Sequence, residues 1–249
     1  MLAVSHLKKS FGGVRAVDDC SFNVPPRRIT ALIGPNGAGK TTVFNCCSGL
    51  VKPDAGEVAR HGRRLNPLPV HQRAQGGIAR TFQAVRLFGN LNVLENCLLA
   101  LEPQDQRLGH SFGVRRREGG RLHRHEQVRE VLHLVGLTQP LETLAADLSY
   151  GQGKLLELTR ALLLPHQVLL LDEPVAGVSP HLRQELIPTL RELKRRGETI
   201  LLIEHDMPFV FDVADLVVVM AAGRVLKTGT PTEVQHDPEV LEAYLGEQL

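Results

Sequence analysis

Short apolar stretches broken by polar and glycine positions run through the first part of the chain, and the pattern predicts strands there. Residues 2–9 and about 14–33 read as strands, and residues 56–65 as a further pair, together an antiparallel flank. The pattern then changes. Residues about 84–148 read as mainly helical, with one apolar-rich helix over 92–101 and another over 126–135. Residues 107–129 are rich in Arg, His and Gly, the composition of a solvated loop and helix face, with contact to lipid headgroups or a partner protein as the alternative. Strand signals return at 168–172, where uninterrupted aliphatics suit a parallel strand covered on both faces. Residues 199–203 read as the next strand. Between them Leu182, Leu186, Leu190 and Leu193 recur at helical spacing, and Pro188 is expected to kink that helix. Residues 216–220 and 224–227 form a closing hairpin through Gly223. Thr230-Pro231-Thr232-Glu233 is a capping box with proline at the first helical position, which opens a last helix. The chain shows no internal repeat and no low-complexity segment.

Chemistry enters between the strand ending at Ile33 and the helix predicted from Val43. Gly34-Pro35-Asn36-Gly37-Ala38-Gly39-Lys40-Thr41-Thr42 is a phosphate-binding loop in its proper context of strand, glycine loop and helix. The glycines let consecutive backbone N–H groups converge on phosphate oxygens, and the helix N-terminus adds partial positive charge. Lys40 is placed to reach the β- and γ-phosphates of a nucleoside triphosphate, and the Thr41 hydroxyl to ligate Mg²⁺. The apolar run at 168–171 ends in Asp172 and Glu173, and ligand chemistry in open α/β sheets sits at the carboxyl ends of strands. Beside a phosphate-binding loop, Asp172 is expected to hold Mg²⁺ directly or through water, and Glu173 to act as general base on the attacking water.

A second phosphate-binding end precedes that strand. Ser149 in Leu148-Ser149-Tyr150-Gly151-Gln152 is an N-cap for the helix that follows, and a capped helix N-terminus with Gly151 can also receive a phosphate. Both ends can close on one nucleotide if two chains meet head to tail.

These motifs, in this order, resemble the ATP-binding cassette (ABC) ATPases, and the resemblance covers essentially the whole chain. It implies an α/β P-loop cassette with a mainly parallel core sheet, an antiparallel flank and an inserted helical subdomain. The expected division is a core over 1–83 and 165–249, with the subdomain over about 84–164. It also implies that Phe11 stacks on adenine and that Gln83 is the Q-loop ligand of Mg²⁺ and water. By the same resemblance 148–152 is the signature, 176–179 the D-loop, and His205 the switch histidine that contacts the γ-phosphate. Each single residue has a plainer reading too: Phe11 as core, Gln83 as a surface amide, His205 as a structural histidine after a buried strand. Within the family four segments look like the Liv-type ATPases of branched-chain amino acid importers. They are the residues from Thr81 to Phe88, the tyrosine at 150, Ile203-Glu204-His205-Asp206-Met207, and Glu242-Ala243-Tyr244-Leu245-Gly246. That resemblance implies transmembrane permeases, a second cassette (identical or paralogous) and an external solute-binding protein as partners. Related ATPases serve urea, short-chain amides and other amino acids.

Three stretches depart from the family pattern. Gly153-Lys154-Leu155 stands where a polar, basic Gln-Gln-Arg-like stretch is usual, the D-loop at 176–180 lacks an aspartate, and Pro25-Pro26-Arg27-Arg28 replaces a Pro-Gly-acidic turn. Apolar Val85, Leu87 and Phe88 follow Gln83 at the seam between core and helical subdomain, where a permease's cytoplasmic helix could dock; the plainer reading of Phe88 is core.

Composition agrees with a cytoplasmic enzyme. At 249 residues the chain can bury a proper core, and a net charge of +2 argues against a general nucleic-acid-binding surface. No apolar run reaches the ~18 residues needed to cross a bilayer, and residues 1–11 lack a signal-peptide core, so attachment to the inner face of the membrane is expected through permeases. Cys20, Cys46, Cys47 and Cys97 lack metal-ligand spacing and read as reduced core thiols. A soluble cassette ATPase of translation or repair would carry tandem cassettes or coiled-coil insertions, and a non-hydrolysing scaffold would lack Lys40, Asp172, Glu173 or His205. An importer motor remains the reading that fits.

Overall fold

A computed structural model describes residues 1–101 and 118–245. Residues 107–117 of the basic run and Gly246 lie outside the described residues. In chain order the strands are β1 (Leu2–Phe11), β2 (Val14–Val24), β3 (Ile29–Ile33), β4 (Ala55–Arg60), β5 (Arg63–Arg64), β6 (Ile78–Arg80), β7 (Val168–Asp172), β8 (Ile200–Ile203), β9 (Leu216–Ala221) and β10 (Arg224–Gly229). The helices are α1 (Lys40–Ser48), α2 (Val70–Gln75), α3 (Val93–Leu101), α4 (Glu118–Val135), α5 (Tyr150–Leu163), α6 (Pro180–Arg195), α7 (Met207–Val213), α8 (Pro231–Gln235) and α9 (Pro238–Leu245).

Two sheets divide the strands. β2-β1-β4-β5 is antiparallel throughout and forms the expected flank, except that residues 29–33, read as part of it, instead form β3 of the other sheet, paired parallel to β8 and β9. The second runs β10-β9-β3-β8-β7-β6 and is parallel except for β10. Every residue of β3, β7 and β8 is buried. Their side chains alternate between two clusters, as the pleat requires. Ile29, Ala31, Ile33, Leu169 and Leu171 join the α3, α5 and α6 side, whereas Leu32, Val168 and Leu170 face α1 and the antiparallel sheet. Both faces are covered, which explains why these strands show no polar alternation.

The order of the parallel strands decides where the chemistry gathers. β3, β8, β7 and β6 lie side by side and point the same way, so the segments that leave their carboxyl ends open onto one edge. Those segments begin at Gly34, Glu204, Glu173 and Thr81. The tip of the β9–β10 hairpin supports the same edge: Ala222 and Gly223 both have positive φ, as a type I′ turn demands, and the Gly223 N–H donates to the Ala38 carbonyl at 3.1 Å.

Differences from the sequence reading have local causes. α2 and β6 went unforeseen because six and three residues are too short to show a period. α4 begins at Glu118, well before 126. α6 continues through Pro188 as one element, with Leu186, Ile187, Leu190 and Leu193 buried and Leu182 half-buried. The Thr230–Glu233 capping box is formed.

Gly34 and Gly37 both have positive φ but differ in their surroundings. A Cβ on Gly34 would lie 2.0 Å from the Met220 carbonyl oxygen, whereas one on Gly37 would meet nothing within 4 Å. Gly34→Ala is therefore expected to lose ~3 kcal/mol or more to the backbone clash, and Gly37→Ala about 1 kcal/mol to its left-handed conformation. Urea unfolding of the two variants measures the contrast, and equal losses would contradict it.

Candidate functional site

The loop from Gly34 to Thr42 wraps the start of α1. Gly39, at φ +97, is the helix N-cap and offers no side-chain cap to the first turn of α1, the end of a helix where a phosphate fits. A Cβ on Gly39 would sit 2.3 Å from the Ala16 carbonyl oxygen, so the loop can lie this deep only with glycine there. The Lys40 Nζ donates to the carbonyls of Gly34 at 2.7 Å and Pro35 at 2.8 Å, which curls the side chain over the loop. Asn36, Gly37 and Thr41 are exposed, Pro35 and Thr42 half-buried, and Ala38 buried beneath the loop. Uncapped amides, a lysine at the loop mouth and an exposed hydroxyl at Thr41 form a donor set that fits phosphate oxygens and a hard cation.

Glu173 follows β7 in the left-handed region, at φ +49. Its amide N–H donates to the Ile203 carbonyl of the neighbouring strand at 3.0 Å. That turn brings its carboxylate between two predicted site residues. Gln83 Nε2 donates to Glu173 Oε2 at 2.9 Å, and His205 Nε2 lies 3.1 Å from Glu173 Oε1. Three segments that are distant in sequence thus meet at one carboxylate, and a carboxylate so held can accept a proton from water.

Asp172 has a partner that sequence reasoning missed. Its Oδ2 accepts from Arg80 Nη2 at 2.7 Å, with both side chains almost wholly buried. Arg80 Nη1 also donates to Asn45 Oδ1 and Ser48 Oγ of α1, each at 2.7 Å, and the guanidinium lies between the rings of Phe44 and Phe82. One carboxylate oxygen is thereby committed to Arg80, and the other remains the atom fitted to a cation or its water. The sequence carried one usable signal, since a buried carboxylate requires a nearby cation or donor. Glu204 was missed as well. It is 3% exposed, and burial pushes its carboxyl pKa up; it accepts from Val175 N–H at 2.8 Å and His205 N–H at 3.0 Å, so it ties the segment after Glu173 to His205.

The signature residues lie elsewhere. Ser149 caps α5 in a full capping box: its Oγ accepts from Gln152 N–H at 3.3 Å, and Gln152 Oε1 accepts from Ser149 N–H at 2.9 Å. The Gln152 amide is thus a helix-capping group. Ser149, Gly151 and Gln152 line a cavity of about 420 Å³ with the D-loop residues Gly177, Val178 and Ser179, and no residue from 34–42 takes part. Phe11 is 48% exposed at the β1–β2 turn, with Lys9 Nζ 5.2 Å from its ring, which corrects the core reading. All four cysteines are buried and free, and burial pushes the Cys46 thiol up to about 11 and those of Cys20 and Cys97 to about 12.

Beyond Gln83 the chain borders a cleft of about 640 Å³ lined by Phe82, Arg86, Leu87, Phe88 and Arg160 among others. Phe88 is 50% exposed with the Arg160 guanidinium 5.3 Å from its ring, so its core reading also falls. Val85 is not part of the lining and turns instead toward Gly153 of α5.

Arg80→Met should cost about 3–5 kcal/mol, because it strands a buried carboxylate while keeping most of the volume. Thermal melts check this. Unchanged stability would mean that Asp172 does not depend on the pair.

The sequence profile of the ABC transporter family matches residues 17–176, and a profile described as branched-chain amino acid ATP-binding cassette transporter matches residues 224–249. Over 251 residues the chain is 41% identical to the high-affinity branched-chain amino acid transport ATP-binding protein LivG of Salmonella typhimurium, spanning 99% of this chain and 98% of that one. It is 38% identical to the corresponding protein BraF of Pseudomonas aeruginosa, over the same shares. A crystal structure of the ADP conformation of an ATP-binding cassette from an ABC transporter superposes with a TM-score of 0.84 at 32% identity, over 99% of this chain and 98% of that one. The likeness spans the whole chain rather than the phosphate loop alone, and the chain belongs to the ABC transporter family as one of its ATP-hydrolysing cassettes.

Proposed function

We propose that this cassette powers the import of branched-chain amino acids through transmembrane permeases. The solute reading is carried by similarity over nearly the full length to relatives named for that transport. The short match at 224–249 supports it. The division into a core, 1–83 and 165–249, and a helical subdomain, about 84–164, belongs to the same reading. In it the protein is cytoplasmic and peripheral on the inner face of the membrane, held there by the permeases, with a solute-binding protein acting from outside. No described helix is long and apolar enough to cross a membrane.

The geometry at the strand ends supports the hydrolytic roles that follow. The amides of Gly37, Gly39, Lys40, Thr41 and Thr42 and the Lys40 ammonium bind the phosphates, and the exposed ring of Phe11 stacks on adenine. Mg²⁺, held by Thr41, Gln83 and the second oxygen of Asp172, would supply positive charge against the β- and γ-phosphates. Glu173 takes the proton of the attacking water as general base. Gln83 and His205 hold that carboxylate from either side, and His205 also faces the γ-phosphate. Ser149 and Gly151 line a different cavity from the phosphate loop, so they serve the nucleotide of a second cassette, a copy or a paralogue.

Glu173→Gln keeps the hydrogen bond to Gln83 but loses the base. Hydrolysis should fall about a hundredfold or more while ATP still binds. Sedimentation of this variant with and without ATP then reports the nucleotide-dependent dimer. Wild-type turnover would remove the general-base role, and a monomer at saturating ATP would point to a paralogous partner.

The cleft beside Phe88 offers an apolar floor with the guanidinium groups of Arg80, Arg86 and Arg160 at its wall, a surface suited to a short permease helix. Phe88→Ala should leave ATP binding and melting temperature near wild type, since the ring is half exposed, yet weaken permease association more than tenfold. Co-purification with the cognate permeases and leucine uptake into proteoliposomes read out both parts. Normal uptake by Phe88→Ala would refute the docking role, and uptake of another solute in place of leucine, isoleucine and valine would refute the substrate.

A further inference from the structure

The departure from the family pattern at Gly153-Lys154-Leu155 falls on buried residues of α5 that touch the hydrolytic end. Lys154 is 7% exposed. Its Nζ donates to the Gln83 carbonyl at 2.8 Å and to the Glu173 carbonyl at 3.2 Å, and lies 5.8 Å from the Tyr150 ring. A buried ammonium is costly unless its protons are bonded, and these two carbonyls meet that need. Gly153 makes the approach possible. A Cβ there would lie 3.3 Å from Val85 Cγ1 and 3.6 Å from Leu87 Cδ1, so the bare helix surface lets the segment after Gln83 lie close against α5.

Two further charged residues on α5 hold the same segment. Glu157 Oε1 accepts from Phe82 N–H at 3.2 Å, and Arg160 Nη1 donates to the Arg86 carbonyl at 2.6 Å. Lys154, Glu157 and Arg160 are spaced by three and so neighbour one another along the helix. Of these three contacts, the one from Lys154 also reaches the catalytic carboxylate's own backbone. Glu173 is a non-glycine residue in the left-handed region, a conformation that persists only when its surroundings over-determine it. Its N–H is fixed by the Ile203 carbonyl, and its own carbonyl accepts from the Ala176 N–H and from Lys154 Nζ, each at 3.2 Å, so Lys154 is the one of these contacts that comes from α5. That turn is what aims the carboxylate at Gln83 and His205.

We propose that Lys154 is a positioning residue for hydrolysis: by bonding the Gln83 and Glu173 carbonyls from α5, it fixes the catalytic carboxylate and makes its alignment depend on the position of the signature helix. The proposal rests on Glu173 being the general base. A signature end drawn onto the opposite nucleotide would carry Lys154 with it, so closure and alignment of the base become one movement.

The test uses the full chain and compares Lys154→Met, Lys154→Arg, Glu173→Gln and the Lys154→Met/Glu173→Gln double variant by steady-state hydrolysis, ATP binding and melting temperature. Lys154→Met should lower kcat about tenfold or more with KM for ATP within about twofold, because nucleotide contacts are untouched. Lys154→Arg, which retains donors at similar reach, should recover most of the rate. Added to Glu173→Gln, Lys154→Met should change nothing further, since both act on one group. If Lys154→Met does not fold, Lys154→Gln replaces it, because its shorter amide cannot span both carbonyls. Wild-type kcat in Lys154→Met or its replacement would overturn the proposal. So would a loss that multiplies with Glu173→Gln, or one that Arg does not rescue and that tracks a lowered melting temperature. Fast hydrolysis by Glu173→Gln alone would instead overturn the general-base reading, which makes the two failures distinguishable.

Discussion

The buried pair of Arg80 and Asp172 is the constraint around which the nucleotide end is organised. Neither charge can be left alone in so dry a place. Arg80 therefore has to come off β6 at the level of the β7 terminus, and its remaining donors reach Asn45 and Ser48 on α1. One guanidinium thus sets the distance between the helix that follows the phosphate loop and the strand that carries Asp172 and Glu173. The Phe44 and Phe82 rings lie 5.0 and 5.2 Å from it, within cation–π range. The short strand β6 buries Ile78 and Ala79 in the two cores and ends on Arg80, which it delivers to this place.

Most of the parallel sheet was legible because its strands are apolar throughout and end at recognisable residues. The phosphate loop, Asp172 and Glu173 could be named from local wording alone, since each sits at or directly after the end of an apolar strand. Arg80, Lys154 and Glu204 could not. Their meaning depends on what lies across the sheet or on another helix, and a single charged residue in a buried stretch gives no sign of its partner. For Phe11 and Phe88 the plainer alternative of a core residue fails, because the fold leaves about half of each ring in solvent. The turn at Pro25-Pro26-Arg27-Arg28 illustrates tolerance. Arg27 adopts the left-handed conformation, φ +58, that a glycine would take without strain, and its N–H donates to Thr199 Oγ1 at 3.0 Å.

An ATP-driven motor has to carry the state of a γ-phosphate to a surface some distance away, and α5 has the required shape. Its N-terminus bears the capped signature, and its flank grips the segment from Phe82 to Arg86 through Glu157 and Arg160. Arg160 then lies beside Phe88 at the cleft. A rigid helix of 14 residues is about 20 Å long at 1.5 Å per residue, enough to link the cavity at Ser149 to the cleft without any intervening flexible element. The grip is made with backbone groups of the segment rather than with its side chains, so what α5 passes on is the path of the chain itself. That path begins at Gln83, the residue bonded to Glu173. Burial pushes the Glu157 carboxyl pKa up, and its N–H bond from Phe82 and the nearby charges of Lys154 and Arg160 oppose that shift. Loss of either cation would therefore weaken more than its own contact, because it would also raise the cost of keeping Glu157 charged at the centre of the stripe.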